Sequence, residues 1–176
     1  MQSYKEIVTK AVIGKGKKHF RNTYAITTES NLDTVLGCWV INHNLKGTNN
    51  NGRVLIRGSF DVNIWYSYEN NTKTNVINRS ITYEEIVNVK LKEESTLTDN
   101  SEIIIRSLKN PTCTDVNVSE GNIEYVIEKE LGIEIIGDTK VKIAIEQEED
   151  EYDLIEDEED FDNEINDIKE DYLENE

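Results

Sequence analysis

Residues 53–68, "RVLIRGSFDVNIWYSY", constrain the fold more than any other stretch of the chain. The even positions Val54, Ile56, Phe60, Val62, Ile64, Tyr66 and Tyr68 are apolar, interrupted only by Gly58. The odd positions are mostly polar, with Arg53, Arg57, Ser59, Asp61, Asn63 and Ser67. A period of two is that of a β-strand with one face on a core and the other toward water. Trp65 breaks the rule, because it lies on the polar side between Asn63 and Ser67. Its neighbours on that face therefore decide what the strand is for.

The rest of the chain up to residue 146 reads in the same way. "EIVTKAVI", "NTYAITT", "VLGCWVIN", "TNVINRSI" and "IVNVKLKE" are strand-like, as are "SEIIIRSL", "TDVNVS", "IEYVIEKELGIEII" and "TKVKIAIE". Between them fall "GTNNNG", "ENNTK", "TDNS", "KNPT", "SEGN" and "GD", where Gly and Asn tolerate positive φ and Pro111 is the only proline. "ESNLDTV" reads as one helical turn. The spacing predicts an all-β domain, a mostly antiparallel β-sandwich of about ten strands over residues 1–146.

Charge divides the chain at the same place. Residues 147–176 hold 17 of the 36 acidic residues and one of the 19 basic ones, leaving the preceding part near neutral. This density resists collapse, so the tail is expected to be disordered or partly helical. Phe161, Ile165, Ile168 and Tyr172 fall at helical spacing within it, and a tail that only solubilised the chain would have no use for them. They are the expected partner-binding residues. Nucleic acid is excluded as a partner, since phosphate recognition needs a concentrated positive stripe. The one basic cluster, "KGKKHFR" at residues 15–21, reads as a solvated strand end. No apolar run spans a membrane and "MQSYKEIVTK" is no secretory leader, so synthesis in the cytoplasm is expected.

The chemistry of an active site is missing. Two histidines, His19 and His43, are too few and too isolated for a metal site, and "GKGKK" lacks the spacing of a phosphate loop. Cys38 and His43 are five residues apart on one strand, which would point them to opposite faces. No enzyme activity, cofactor or metal is expected. Two cysteines, Cys38 and Cys113, make no disulfide framework.

Five stretches together resemble the outer spore-coat morphogenetic protein E family of endospore-forming bacteria. They are "YKEIVTKAVIGKGKK", "LGCWVINH", "FDVNIWYSYENNTKT", "TDNSEIIIRSLKNPTC" and "GDTKVKIAI", in that order and spacing, followed by an acidic C-terminus. The shorter tail looks clostridial. The resemblance implies a scaffold made in the mother-cell cytoplasm that ends in the spore coat. Such a scaffold self-associates, is recruited by other coat morphogenetic proteins and recruits outer-coat proteins. The alternative from another class is a soluble acidic-tailed chaperone or carbohydrate-binding module.

Two readings of Trp65 follow. Either Trp65 and Trp39 form an assembly surface, or a second sheet covers that face and both rings share the core. For the cysteines, the first reading is two reduced thiols packed as small hydrophobes; the alternative is that, because a coat layer ends outside any reducing cytoplasm, Cys113 in its turn forms intermolecular cross-links, with Cys38 buried and inert.

Overall fold

In the computed structural model, which describes residues 3–28 and 31–145, the alternating segments become six long strands. They are β1 (Ser3–Thr27), β2 (Leu32–Asn50), β3 (Arg53–Tyr68), β4 (Lys73–Val87), β5 (Glu102–Ser119) and β6 (Asn122–Ile145). Two three-stranded sheets result, ordered β1-β6-β5 and β2-β3-β4. The pairs β2–β3, β3–β4 and β5–β6 are antiparallel. By internal contacts the chain divides into two units. One is Glu6–Ile143; the other joins Met1–Lys5 to Ala144–Glu176, and its described residues are the outer ends of β1 and β6.

Six strands replace the expected ten because several polar stretches are absorbed into strands instead of ending them. "EIVTKAVI" and "NTYAITT" are both β1, joined through the basic cluster. "SEIIIRSL" and "TDVNVS" merge as β5, β6 runs straight through Gly137 and Asp138, and "IVNVKLKE" makes no strand of its own, its first two residues ending β4 and the rest lying in the connection that follows. Pro111 is accordingly not in a turn. It lies within β5, an edge strand, where the register slips between Lys109 and Thr112. The residue has no ladder partner there, so its missing N–H costs nothing. Residues 32–35 of "ESNLDTV" begin β2 and form no helical turn.

The hairpin turns are short, whereas residues 88–101 make a long connection between β4 and β5. Asn51 and Gly52 take positive φ between the paired Asn50 and Arg53, and Glu120 and Gly121 do the same between Ser119 and Asn122. Both are two-residue hairpins whose twist matches that of the flanking strands. Residues 69–72 close the β3–β4 hairpin.

The inner faces of both sheets contribute to one apolar cluster. It contains Val54, Ile56, Phe60, Val62 and Ile64 of β3 with Ile123, Tyr125, Ile127, Leu131, Ile133 and Ile135 of β6. Ile13, Phe20 and Ile26 of β1 join it, as do Tyr83 and Val87 of β4. The central strands β3 and β6 thus supply most of the core, as the even-numbered phase of β3 requires.

Candidate functional site

The two outward faces differ in chemistry. On the β1-β6-β5 sheet, Glu128, Glu130 and Glu134 point outward from the central strand, and bases flank them on both sides. Lys15 pairs with Glu134 at 3.3 Å, Lys17 with Glu130 at 3.7 Å, and His19 at 3.8 Å and Arg21 both face Glu128. From β5, Arg106 reaches Glu134 and Lys109 reaches Glu128, each at 3.9 Å. The basic cluster is therefore not a strand end. Its alternate residues lie along mid-strand β1, matched to carboxylates, while Phe20 turns inward to the core. Such pairs order the strands cross-wise and leave this face polar.

The opposite sheet presents aromatics. Trp65 is 46% exposed and Trp39 is 52% exposed. In the β2–β3 ladder Trp39 faces Asn63 and Gly37 faces Trp65, so the two indoles are diagonal neighbours on one face. They meet edge to face, with ring centroids 6.1 Å apart and planes at 89°. The Trp39 ring folds back over Gly37 so closely that a Cβ there would come within 2.6 Å of it. Ile41, also exposed, and Val76, the cross-strand partner of Trp65, extend the patch. Beside it, hydrogen bonds from Ser80 and Asn42 hold the Asp61 carboxylate below its usual range. Of the two readings of Trp65, the geometry excludes the covered core and leaves the open face.

A polar cluster that the sequence reading missed lies between the sheets. Lys129 is 1% exposed and occupies an inward position of β6 between Ile127 and Leu131. Its ammonium is 3.8 Å from Glu85 Oε1, 3.3 Å from Asn22 Oδ1, and over the rings of Tyr83 at 4.1 Å and Phe20 at 4.9 Å. Burial lowers the Lys129 pKa and Glu85 partly restores it. His43 Nε2 is 2.7 Å from the Tyr83 hydroxyl, and the imidazole stacks on the Tyr83 ring. Burial and the Lys129 charge lower the His43 pKa, while burial and the Glu85 charge push the Tyr83 hydroxyl up to about 12. The signal was present in the sequence: Lys129 and Glu85 interrupt apolar phases of β6 and β4.

His43 turns inward because β2 is irregular between Ile41 and Asn44, where Asn42 takes a φ of 55°. The extra residue shifts the phase of the strand. Cys38 and His43 consequently share the inner face, contrary to the opposite faces expected from their spacing. They nevertheless have different surroundings: His43 meets Tyr83, while Cys38 lies across the ladder from Ile64 and packs on the apolar cluster. Both thiols are reduced and half-buried against the core. Cys113 is thus not an exposed turn residue.

No cluster of metal-ligating side chains occurs among the described residues, and no helix among them is long and apolar enough to cross a membrane. Phe161, Ile165, Ile168 and Tyr172 lie outside the described residues.

What the described residues define is an all-β domain with one ion-paired face and one face carrying an open aromatic pair. The pattern of the outer spore coat protein E (CotE) family matches residues 3–175, and the chain belongs to that family. It is a spore coat protein. No curated protein and no solved structure matches it.

Proposed function

We propose that this chain is a structural scaffold of the spore coat, not an enzyme. It is made in the mother-cell cytoplasm and self-associates into homo-oligomers through a β-sandwich assembly domain, residues 1–146. Through the acidic tail, residues 147–176, it recruits outer-coat proteins. The observation that carries this reading is the Trp39–Trp65 pair, held edge to face on an outward sheet face and half exposed. Large aromatics left in water are what a protein contact buries, and tryptophans at the centre of a contact carry much of its energy. The family membership supports the coat setting. The ion-paired opposite face argues that the two sides of the domain do different jobs, with apolar association confined to one.

Size-exclusion chromatography with light scattering tests the proposal on the full chain. The wild type is expected to run as a large oligomer, and Trp65→Ser and Trp39→Ser as folded but smaller species. A monomeric wild type would overturn self-association and favour the runner-up, a soluble chaperone or carbohydrate-binding module that uses the indoles as a ligand platform.

A further inference from the structure

The two cysteines come from different sheets and different edges. Cys38 is on β2, an edge of β2-β3-β4, and Cys113 is on β5, an edge of β1-β6-β5. Across their ladders Cys38 faces Ile64 and Cys113 faces Ile127, two fully buried residues. Directly paired residues share a sheet face, so both thiols point into the space between the sheets. There they pack on the same apolar cluster, where β2 and β5 lie against each other, Gly47 of β2 meeting Ile103 and Ile105 of β5 further along the same pair of strands. Cys113 also approaches the Asp115 carbonyl, at 3.6 Å, across an irregularity in β5. A pair of reduced thiols spanning the two layers is a built site for a cross-link.

We infer that Cys38 and Cys113 form an intramolecular disulfide that clamps the two sheets together when the surroundings become oxidising. The oxidant is a low-molecular-weight disulfide such as oxidised glutathione. The Cys113 thiolate attacks one sulfur of the oxidant and expels a glutathione thiolate, leaving a mixed disulfide. The Cys38 thiolate then attacks Cys113 Sγ and expels the second glutathione. Two protein thiols are oxidised, one small disulfide is reduced to two thiols, and each leaving thiolate takes up the proton that a cysteine gave up. Burial, followed by the hydrogen bond with Cys113, raises the Cys38 pKa, so its thiolate is scarce at neutral pH and the closing step speeds up as pH rises. Only the claim that the protein meets oxidising conditions rests on the coat reading; the cross-link itself does not. Intermolecular bridging through Cys113 would have to compete with a partner already in place.

The test uses the purified full chain, first reduced, then exposed to oxidised glutathione under native conditions. The expected product is a monomer by non-reducing electrophoresis that migrates faster than the reduced chain and has lost the mass of two hydrogen atoms. Proteolysis after thiol blocking should yield a peptide pair linking Cys38 to Cys113. The bond closes a loop of about 75 residues, so the oxidised protein should melt roughly 10 °C higher than the reduced one. Cys38→Ser and Cys113→Ser should each lose that shift, and Cys113→Ser should also resist the first attack. Two thiols still free for alkylation in the folded wild type, or disulfide-linked dimers in place of the internal link, would overturn the inference. Because the readouts are internal to one chain, failure of self-association would leave it standing.

Discussion

Tyr83 lies across Gly58, its cross-strand partner, so closely that a Cβ at residue 58 would sit 2.3 Å from Tyr83 Cζ. This explains the single gap in the apolar phase of β3: the space that a side chain at residue 58 would fill belongs to a ring from β4. Tyr83 has little freedom to move, being buried, bonded to His43 and positioned under the Lys129 ammonium. Gly58→Ala should therefore behave as an overpacked core substitution and destabilise the domain by roughly 1–3 kcal/mol. Urea unfolding followed by circular dichroism measures it, and in a Tyr83→Ala background the same Gly58→Ala change should cost much less if the clash is the cause.

The Lys129–Glu85 pair predicts opposite outcomes for single and double replacement. Glu85→Leu leaves a buried ammonium with only Asn22 and two ring faces, and should cost about 3 kcal/mol or more. Lys129→Met with Glu85→Leu removes both charges and should be near neutral or stabilising, since burial already disfavours the charged amine. A double-mutant cycle by urea denaturation reads the coupling directly. A double mutant as unstable as Glu85→Leu alone would mean that the interior needs the pair for its shape.

His43 gives the domain a defined acid response. Its folded pKa lies below the ordinary value of 6.5, because burial and the Lys129 charge disfavour the imidazolium. The groups facing it are the Tyr83 hydroxyl, the Phe60 ring and the Lys129 ammonium, with Glu85 beyond the last. A depressed pKa contributes stability that is present above the unfolded value. As pH falls the unfolded chain takes up the proton first, and the contribution is lost as pH passes through the folded pKa. The urea midpoint should fall between pH 7 and pH 5 in the wild type. In His43→Gln, which keeps a polar partner for Tyr83, that part of the slope should disappear.

The face pattern of β3 was legible because the strand is central and covered on one side only; period and burial then agree residue by residue. Strand length was not. Lys15, Lys17, His19 and Arg21 read as a solvated strand end until Glu128, Glu130 and Glu134 lie beside them, and those are more than a hundred residues away. Nor could spacing assign the inner face to His43, since one irregularity near Asn42 reverses the parity that the spacing implied. The meeting of Cys38 with Cys113 depends on how the edge strands of two sheets oppose each other, which no local pattern encodes. Lys129 and Glu85 are the opposite case: charged residues in apolar phases, visible in the sequence as exceptions to the rule applied there.

Removing residues 147–176 should leave the domain folded. Those residues carry 17 acidic side chains against one basic, a charge density that resists joining a core. The melting temperature should stay within a few degrees, self-association should survive, and recruitment of coat partners should fall. Replacing Phe161, Ile165, Ile168 and Tyr172 with serine keeps every charge and should reproduce the recruitment defect. If binding instead persists and weakens with added salt on the ~10 Å screening scale, charge alone is the recruiting force.

The sharpest test of the two faces places the same charge at two consecutive positions. Ile64 is 0% exposed and faces Cys38 within the ladder, whereas Trp65 is 46% exposed beside Trp39. A carboxylate at residue 64 would enter the space between the sheets without a partner, and burying an unpaired charge is among the few single changes that unfold a domain outright. Ile64→Asp should therefore lose its strand signal in circular dichroism. Trp65→Asp places the same group in water on an outward face, so folding should persist while the association that buries the indole is lost. Light scattering should then report a folded smaller species. A folded, fully oligomeric Trp65→Asp would remove the aromatic pair from the assembly contact and shift the search to β4, the edge strand of this sheet that does not lie against β5.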